Sequence, residues 1–125
     1  MKRIAILGST GSIGTQALEV IQANPEHFHV EVLTAYSNAD LLIQQARIFK
    51  PNAIAICDTA KLEMLKDALA GEDVKVYGGQ ESIVQLMSMD SIDLVLTAMV
   101  GFAGLEPTLE AIRNKKNIAL ANKET

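Results

Sequence analysis

The chain has 125 residues, of which 49% are hydrophobic and only 4% aromatic, and it carries a formal net charge of −4. That length suits one domain with a proper core of Ile, Leu, Val, Ala and Met, and an acidic balance without a basic cluster argues against nucleic acid as the main partner. The single cysteine, Cys57, excludes an internal disulfide and fits a reducing, cytoplasmic setting, while no apolar stretch reaches membrane-spanning length.

Six β/α alternations follow in order. Lys2 and Arg3 lead into Ile4-Ala5-Ile6-Leu7, an apolar run with the bulk of a buried parallel strand, so no signal peptide is expected. It ends in Gly8-Ser9-Thr10-Gly11-Ser12-Ile13-Gly14, after which Ile13, Ala17, Leu18, Val20 and Ile21 mark a helix from Ser12 to Ala23, stopped by Asn24-Pro25. Val30 to Ala35 reads as the second strand. Asn38 caps a helix through Leu41, Leu42, Ala46 and Phe49, closed off by Pro51. Ala53 to Cys57 is the third strand, with Asp58 placed to cap a Leu62–Leu69 helix and Cys57 expected as a buried, inert thiol. Val74 to Tyr77 is a short strand suited to a sheet edge, and Gly78-Gly79 lead into a helix with Ile83, Val84, Leu86 and Met87 inward. Met87 and Met89 read as core filling. Ile92 to Thr97 is a central strand, Leu105 to Arg113 the last helix with Pro107 in its first turn, and Ile118 to Ala121 the last strand.

Strands alternating with helices predict a doubly wound, Rossmann-like α/β fold: a mainly parallel sheet of about six strands with helices on both faces. The first strand belongs in the centre, between those ending at Ala35 and Thr97, and a ligand crevice is expected where the strand order reverses. Gly8–Gly14, Ala35–Asn38, Ala98–Gly104 and Ala121–Thr125 are expected to line it. A glycine-rich turn between strand and helix suits a phosphate: glycine permits close backbone approach, and the helix start offers unpaired N–H groups and a positive dipole. The glycines are spaced three and three rather than two and three, so the pattern departs from the commonest dinucleotide fingerprint. An NAD-specific fold usually has an acid at the end of its second strand, but Thr34-Ala35-Tyr36-Ser37-Asn38 has none, and Glu31 lies too early. That favours NADP, with Ser37, Asn38 and the next helix's amides available to a 2′-phosphate, although Asn38 is equally placed as a plain cap. The apolar Ala98–Gly104 loop fits either approach to a nicotinamide or core burial. His27 and His29 precede the second strand, away from the crevice, and read as surface residues rather than metal ligands.

Four segments carry a resemblance across the chain. Gly8–Gly14, Asn24-Pro25-Glu26-His27-Phe28, Gly101-Phe102-Ala103-Gly104-Leu105-Glu106-Pro107-Thr108 and Ala121-Asn122-Lys123-Glu124-Thr125 together resemble 1-deoxy-D-xylulose 5-phosphate reductoisomerases. Enzymes of this family isomerise deoxyxylulose phosphate at a divalent metal and reduce the product with NADPH to methylerythritol phosphate, for isoprenoid precursors. The resemblance implies that Thr10, Gly11, Ser12 and Ile13 hold the cofactor's pyrophosphate region and that Asn38 lies at the 2′-phosphate. It further implies that Asn122 and Glu124 contact the nicotinamide half, and Lys123 the substrate. Where relatives carry Gly-Lys-Asn, this chain has Tyr36-Ser37-Asn38, which removes a cation and puts there an aromatic ring suited to stacking on adenine or to covering the sheet's end.

The resemblance also implies that residues 1–125 are an NADP(H)-binding domain only. On this reading the catalytic and C-terminal domains are absent from the chain, no catalytic residue or metal ligand lies within it, and it is inactive alone. The intact enzyme is expected to be a cytoplasmic homodimer that takes a phosphosugar substrate and magnesium or manganese, with neither nucleic acid nor membrane as partner. The alternatives are the cofactor domain of another two-domain NADP reductase, of the aspartate-semialdehyde or dihydrodipicolinate type, and a nucleotide-binding module without chemistry.

Overall fold

β1 (Lys2–Leu7) runs along the middle of a six-stranded, all-parallel sheet, with β2 (Phe28–Ala35) on one side and β5 (Leu94–Thr97) on the other. Beyond β2 lie β3 (Ala53–Ile56) and the edge strand β4 (Lys75–Gly78), and beyond β5 lies β6 (Asn117–Leu120), giving the order β4-β3-β2-β1-β5-β6. The computed structural model describes residues 1–99 and 102–120.

Crossovers between parallel strands are right-handed as a rule, so the direction of each step across the sheet decides which face its helix covers. From β1 to β4 the chain steps one way, and α1 (Ser12–Ala23), α2 (Ala39–Phe49) and α3 (Leu62–Ala68) pack on one face. It then returns past β1, and α4 (Gln80–Leu86) and α5 (Phe102–Arg113) pack on the other. Alternation along β1 serves both layers: Ile4 and Ile6 join the core under α1–α3, while Ala5 and Leu7 join the core under α4 and α5. Ile6, Leu33, Leu42 and Ile54 are fully buried, and each contributes roughly 1.5–3 kcal/mol by leaving water. Met87 is fully buried and Met89 packs beside it, as core filling predicts.

Three local readings are corrected. Asp58 caps a separate 3-10 turn, Thr59–Lys61, by accepting from the Ala60 N–H at 3.1 Å, and α3 starts only after it. The last helix begins at Phe102, not Leu105, so Phe102–Gly104 is helical rather than loop, and Pro107 is its sixth residue rather than a first-turn one. A proline there lies beyond the N–H groups that lack intrahelical acceptors, so α5 forgoes one ladder bond. Cys57 is only half-buried, just past the end of β3, and its Sγ donates to Gln80 Oε1 at 2.9 Å. Burial first, and the charge of Asp58 second, push its thiol pKa up, which disfavours the nucleophilic thiolate.

Glu31 occupies an irregularity in β2. Register passes from Ile4↔Val30 to Ala5↔Val32, skipping it. Its buried carboxylate meets His29 Nε2 at 3.1 Å and accepts from Asn52 Nδ2 at 2.7 Å, near the amino ends of the strands. His27 is exposed, and His29 is partly exposed with its ring turned to that carboxylate.

Candidate functional site

The reversal of strand order falls between β1 and β5, and the glycine turn sits at the carboxyl end of β1, as such a switch point requires. Gly8 is in the left-handed region at φ +89°, and a Cβ there would lie 2.9 Å from the Met99 backbone nitrogen. The residue after β1 must therefore be glycine for two reasons, conformation and contact with the chain leaving β5. Gly14 has a different constraint: its added Cβ would meet the Gly8 carbonyl oxygen at 2.2 Å and Ser9 Cα at 2.7 Å. The start of α1 thus lies directly against the turn.

Gly11 contrasts with both. The nearest atom to an added Cβ is 3.8 Å away, in ordinary contact, and its backbone is extended. It is the N-cap of α1, yet no side chain caps this helix and its first turn holds no acidic residue. The first N–H groups of a helix have no partners within it. At α1 they are left to whatever approaches across Gly11, with the dipole favouring an anion. Gly11 and Ser12 are exposed, and Thr10 and Ile13 partly so, which puts these sequence-expected residues together on the open side of the turn.

α2 starts differently. Asn38 Oδ1 accepts from the Leu41 N–H at 3.2 Å, so Asn38 is a helix cap, and Asp40 already occupies the first turn. Tyr36, Ser37 and Asn38 are all exposed at the carboxyl end of β2, and Tyr36 is 62% exposed, so it does not cover the sheet's end. Its ring is free of the core and offers a flat face to solvent. Of the Ala98–Gly104 segment, Met99 packs against the core under α4 and α5, and buried Gly104 would put a Cβ 3.1 Å from Met99 Cβ, so this part serves core burial. Val100, Gly101, Asn122, Lys123 and Glu124 lie outside the described residues.

Sequence reasoning missed the group behind the turn. Ser9 is fully buried; its N–H donates to the Thr34 carbonyl at 2.8 Å and its Oγ donates to Gln45 Oε1 at 2.7 Å. Gln45 returns a hydrogen bond from Nε2 to the Ser9 carbonyl at 2.9 Å. Gly8 N–H donates to Thr34 at both its carbonyl and its Oγ1, and Thr34 Oγ1 donates to the Ile6 carbonyl. The one available signal was Gln45 itself, three residues after Leu42 and next to Ala46, a polar side chain on the buried stripe of α2.

Among the described residues no group of three His, Cys, Asp or Glu side chains lies together as metal ligands would, and no helix is long and apolar enough to cross a membrane. A groove of about 270 Å³ lined by Ile21, Phe28, Val30 and Phe49 among others lies at the amino end of β2, away from the turn. A phosphate seat built from helix N–H groups needs no deep cavity, so the groove does not displace the turn as the candidate site.

Comparison with known proteins agrees with this geometry. The family model for 1-deoxy-D-xylulose 5-phosphate reductoisomerase matches residues 4–125. The reductoisomerase of Bacteroides fragilis is 58% identical over 124 residues, covering 99% of this chain and 32% of that protein. That of Chloroherpeton thalassium is 46% identical over 125 residues, again covering 32% of the relative. Among solved structures, the Zymomonas mobilis reductoisomerase in complex with NADPH superposes with a TM-score of 0.90 at 38% identity, over 98% of this chain and 32% of that one. A reductoisomerase in complex with NADPH, fosmidomycin and magnesium gives 0.93 at 36% identity, over 99% and 31%. The chain therefore spans about a third of the length of the relatives it matches, and neither another two-domain reductase nor a non-catalytic module is favoured. From the glycine turn to the last described strand, this chain belongs to the 1-deoxy-D-xylulose 5-phosphate reductoisomerase family.

Proposed function

We propose that residues 1–125 are the NADPH-binding domain of an enzyme that converts 1-deoxy-D-xylulose 5-phosphate to 2-C-methyl-D-erythritol 4-phosphate, and that this chain binds the cofactor without turning over substrate. The observation that carries the reading is the uncapped start of α1 beneath the open side of Gly11. Thr10, Gly11, Ser12 and Ile13 hold the diphosphate there, Thr10, Ser12 and Ile13 through main-chain N–H groups and Gly11, whose N–H is donated to the Gly8 carbonyl at 3.4 Å, by leaving the approach open. Ser37, Asn38 and the start of α2 receive the 2′-phosphate, and the exposed Tyr36 ring stacks on adenine. Asp40 in the first turn of α2 opposes the second phosphate, which sets an upper limit on preference for NADPH over NADH. Asn122 and Glu124 contact the nicotinamide half, and Lys123 pairs with substrate oxygens near it. When bound, NADPH supplies the hydride for the reductive half of the reaction.

The intact enzyme takes a phosphosugar and a divalent cation. Relatives solved with magnesium support that cation, and manganese is the other hard ion that suits the same oxygen ligands. The free, protonated Cys57 fits a cytoplasmic location, and a homodimer is part of the same proposal for the intact enzyme.

The test is titration of the folded chain with NADPH and NADH, followed by fluorescence or calorimetry. Binding of NADPH tighter than of NADH is expected, and no binding of either at millimolar concentration would refute the reading. Ser37→Asp puts a carboxylate beside the 2′-phosphate and is expected to weaken NADPH roughly tenfold while leaving NADH within about twofold.

A further inference from the structure

The exchange of hydrogen bonds between Gln45 and Ser9 is not needed to hold α2 on the sheet, because Leu42, Ile43 and Ala46 bury the same stripe. It does something else. Ser9 is fixed from three directions at once: by Thr34 of β2, by Gln45 of α2 and by contact with Gly14 of α1. Of these, only Gln45 ties the turn to α2, the helix that begins at Asn38. Gln45 lies seven positions after Asn38, about 10 Å along the helix axis, so α2 reaches from the proposed 2′-phosphate end to the back of the proposed diphosphate turn.

We infer that Gln45 is a positioning residue that, through Ser9, sets the separation between the two phosphate-binding places and thereby favours NADPH over NADH. This rests on the cofactor reading above. NADPH has to seat a phosphate at both places with one rigid adenosine, whereas NADH lacks the 2′-phosphate and meets the second place only through adenine stacking on Tyr36, which tolerates a shift. Neither partner in the clasp touches the cofactor: Ser9 is fully buried and Gln45 is 5% exposed. The amide suits the task because it donates and accepts at one end, and so meets both polar groups of Ser9 where no water reaches.

The experiment compares the parent chain with the double variant Ser9→Ala/Gln45→Leu, and with Ser9→Ala alone in case the double variant does not fold. Replacing both partners by apolar side chains strands neither side chain but leaves the buried Ser9 carbonyl without the Gln45 amide, so a lowered Tm with the fold retained is expected. NADPH affinity is expected to fall about tenfold and NADH affinity by no more than about twofold, because two seated phosphates tolerate less change in spacing than one phosphate and a stacked ring. Ser9→Ala keeps the Gln45 Nε2 bond to the Ser9 carbonyl and should show a smaller change in the same direction. Equal losses for both nucleotides, or unchanged NADPH affinity in the folded variants, would overturn the inference while leaving the cofactor reading intact. Failure of the parent itself to bind NADPH would instead overturn the cofactor reading.

Discussion

Gly11 and Gly14 stand three residues apart in one turn and should respond to substitution in opposite ways. Gly11→Ser places a good N-cap on α1 in extended backbone with open space around it, so stability should stay the same or rise by up to about 1 kcal/mol. Its hydroxyl would occupy the anion's place, so NADPH affinity should drop tenfold or so by the same titration. Gly14→Ala drives a methyl into backbone atoms of Gly8 and Ser9, which cannot rotate away; a loss of about 1–3 kcal/mol or more is expected in urea melts. The sequence made this turn legible because its glycines sit between a β-run and an α-run. It hid the division of labour among them, which depends on what lies beside each: Met99 beside Gly8, Ser9 beside Gly14, and open space beside Gly11. Gln45 was hidden for the same reason, its partner being 36 positions earlier in the chain.

Elements were readable to within a residue or two wherever periodicity and a stop signal agreed. α1 between the glycine turn and Asn24-Pro25, and α2 between Asn38 and Pro51, are the clearest cases. The start of α5 was not, since Gly104 and Pro107 both argue locally against a helix that burial of Gly104, Pro107 and Ala111 nevertheless supports. Pairing of β1 with β5 has a long-range pin that no local pattern announces. Asp93 Oδ2 accepts from the Arg3 backbone N–H at 2.9 Å and from its Nε at 3.2 Å, while the Asp93 N–H donates to the Arg3 carbonyl. Arg3 holds the Asp93 carboxyl below its ordinary pKa of 3.8, first through the side-chain hydrogen bond. A depressed carboxylate stabilises the fold above its unfolded pKa, and that contribution is lost as pH falls through the folded value. Asp93→Asn is therefore expected to lower Tm by a few degrees at neutral pH. The gap should close in acid well below pH 3.8 and narrow in high salt, because the pair is partly exposed.

The whole molecule assembles its site from both halves of the chain. The proposed diphosphate turn follows β1 and the proposed 2′-phosphate end follows β2, but the wall against Gly8 comes from Ala98 and Met99, about ninety residues later. Topology at this scale was open to sequence reasoning because parallel β/α units leave few orders to choose from, and the apolar strand ending at Thr97 was the obvious second neighbour for β1. A shortened chain ending before β5 should retain β1–β4 pairing yet lose NADPH binding entirely, as dichroism and titration of such a piece would show.

The central place of β1 has a cost during synthesis. Its residues leave the ribosome before the other five strands, and β2 can pair with one side as soon as it emerges, but the other side waits for Leu94–Thr97. Throughout that interval a nascent polypeptide carries a bare, apolar strand flank open to mispairing with its neighbours. Translation stalled after β4 has emerged and before β5 has should therefore recruit chaperone to the emerging protein, and release of that chaperone should coincide with the appearance of the fifth strand.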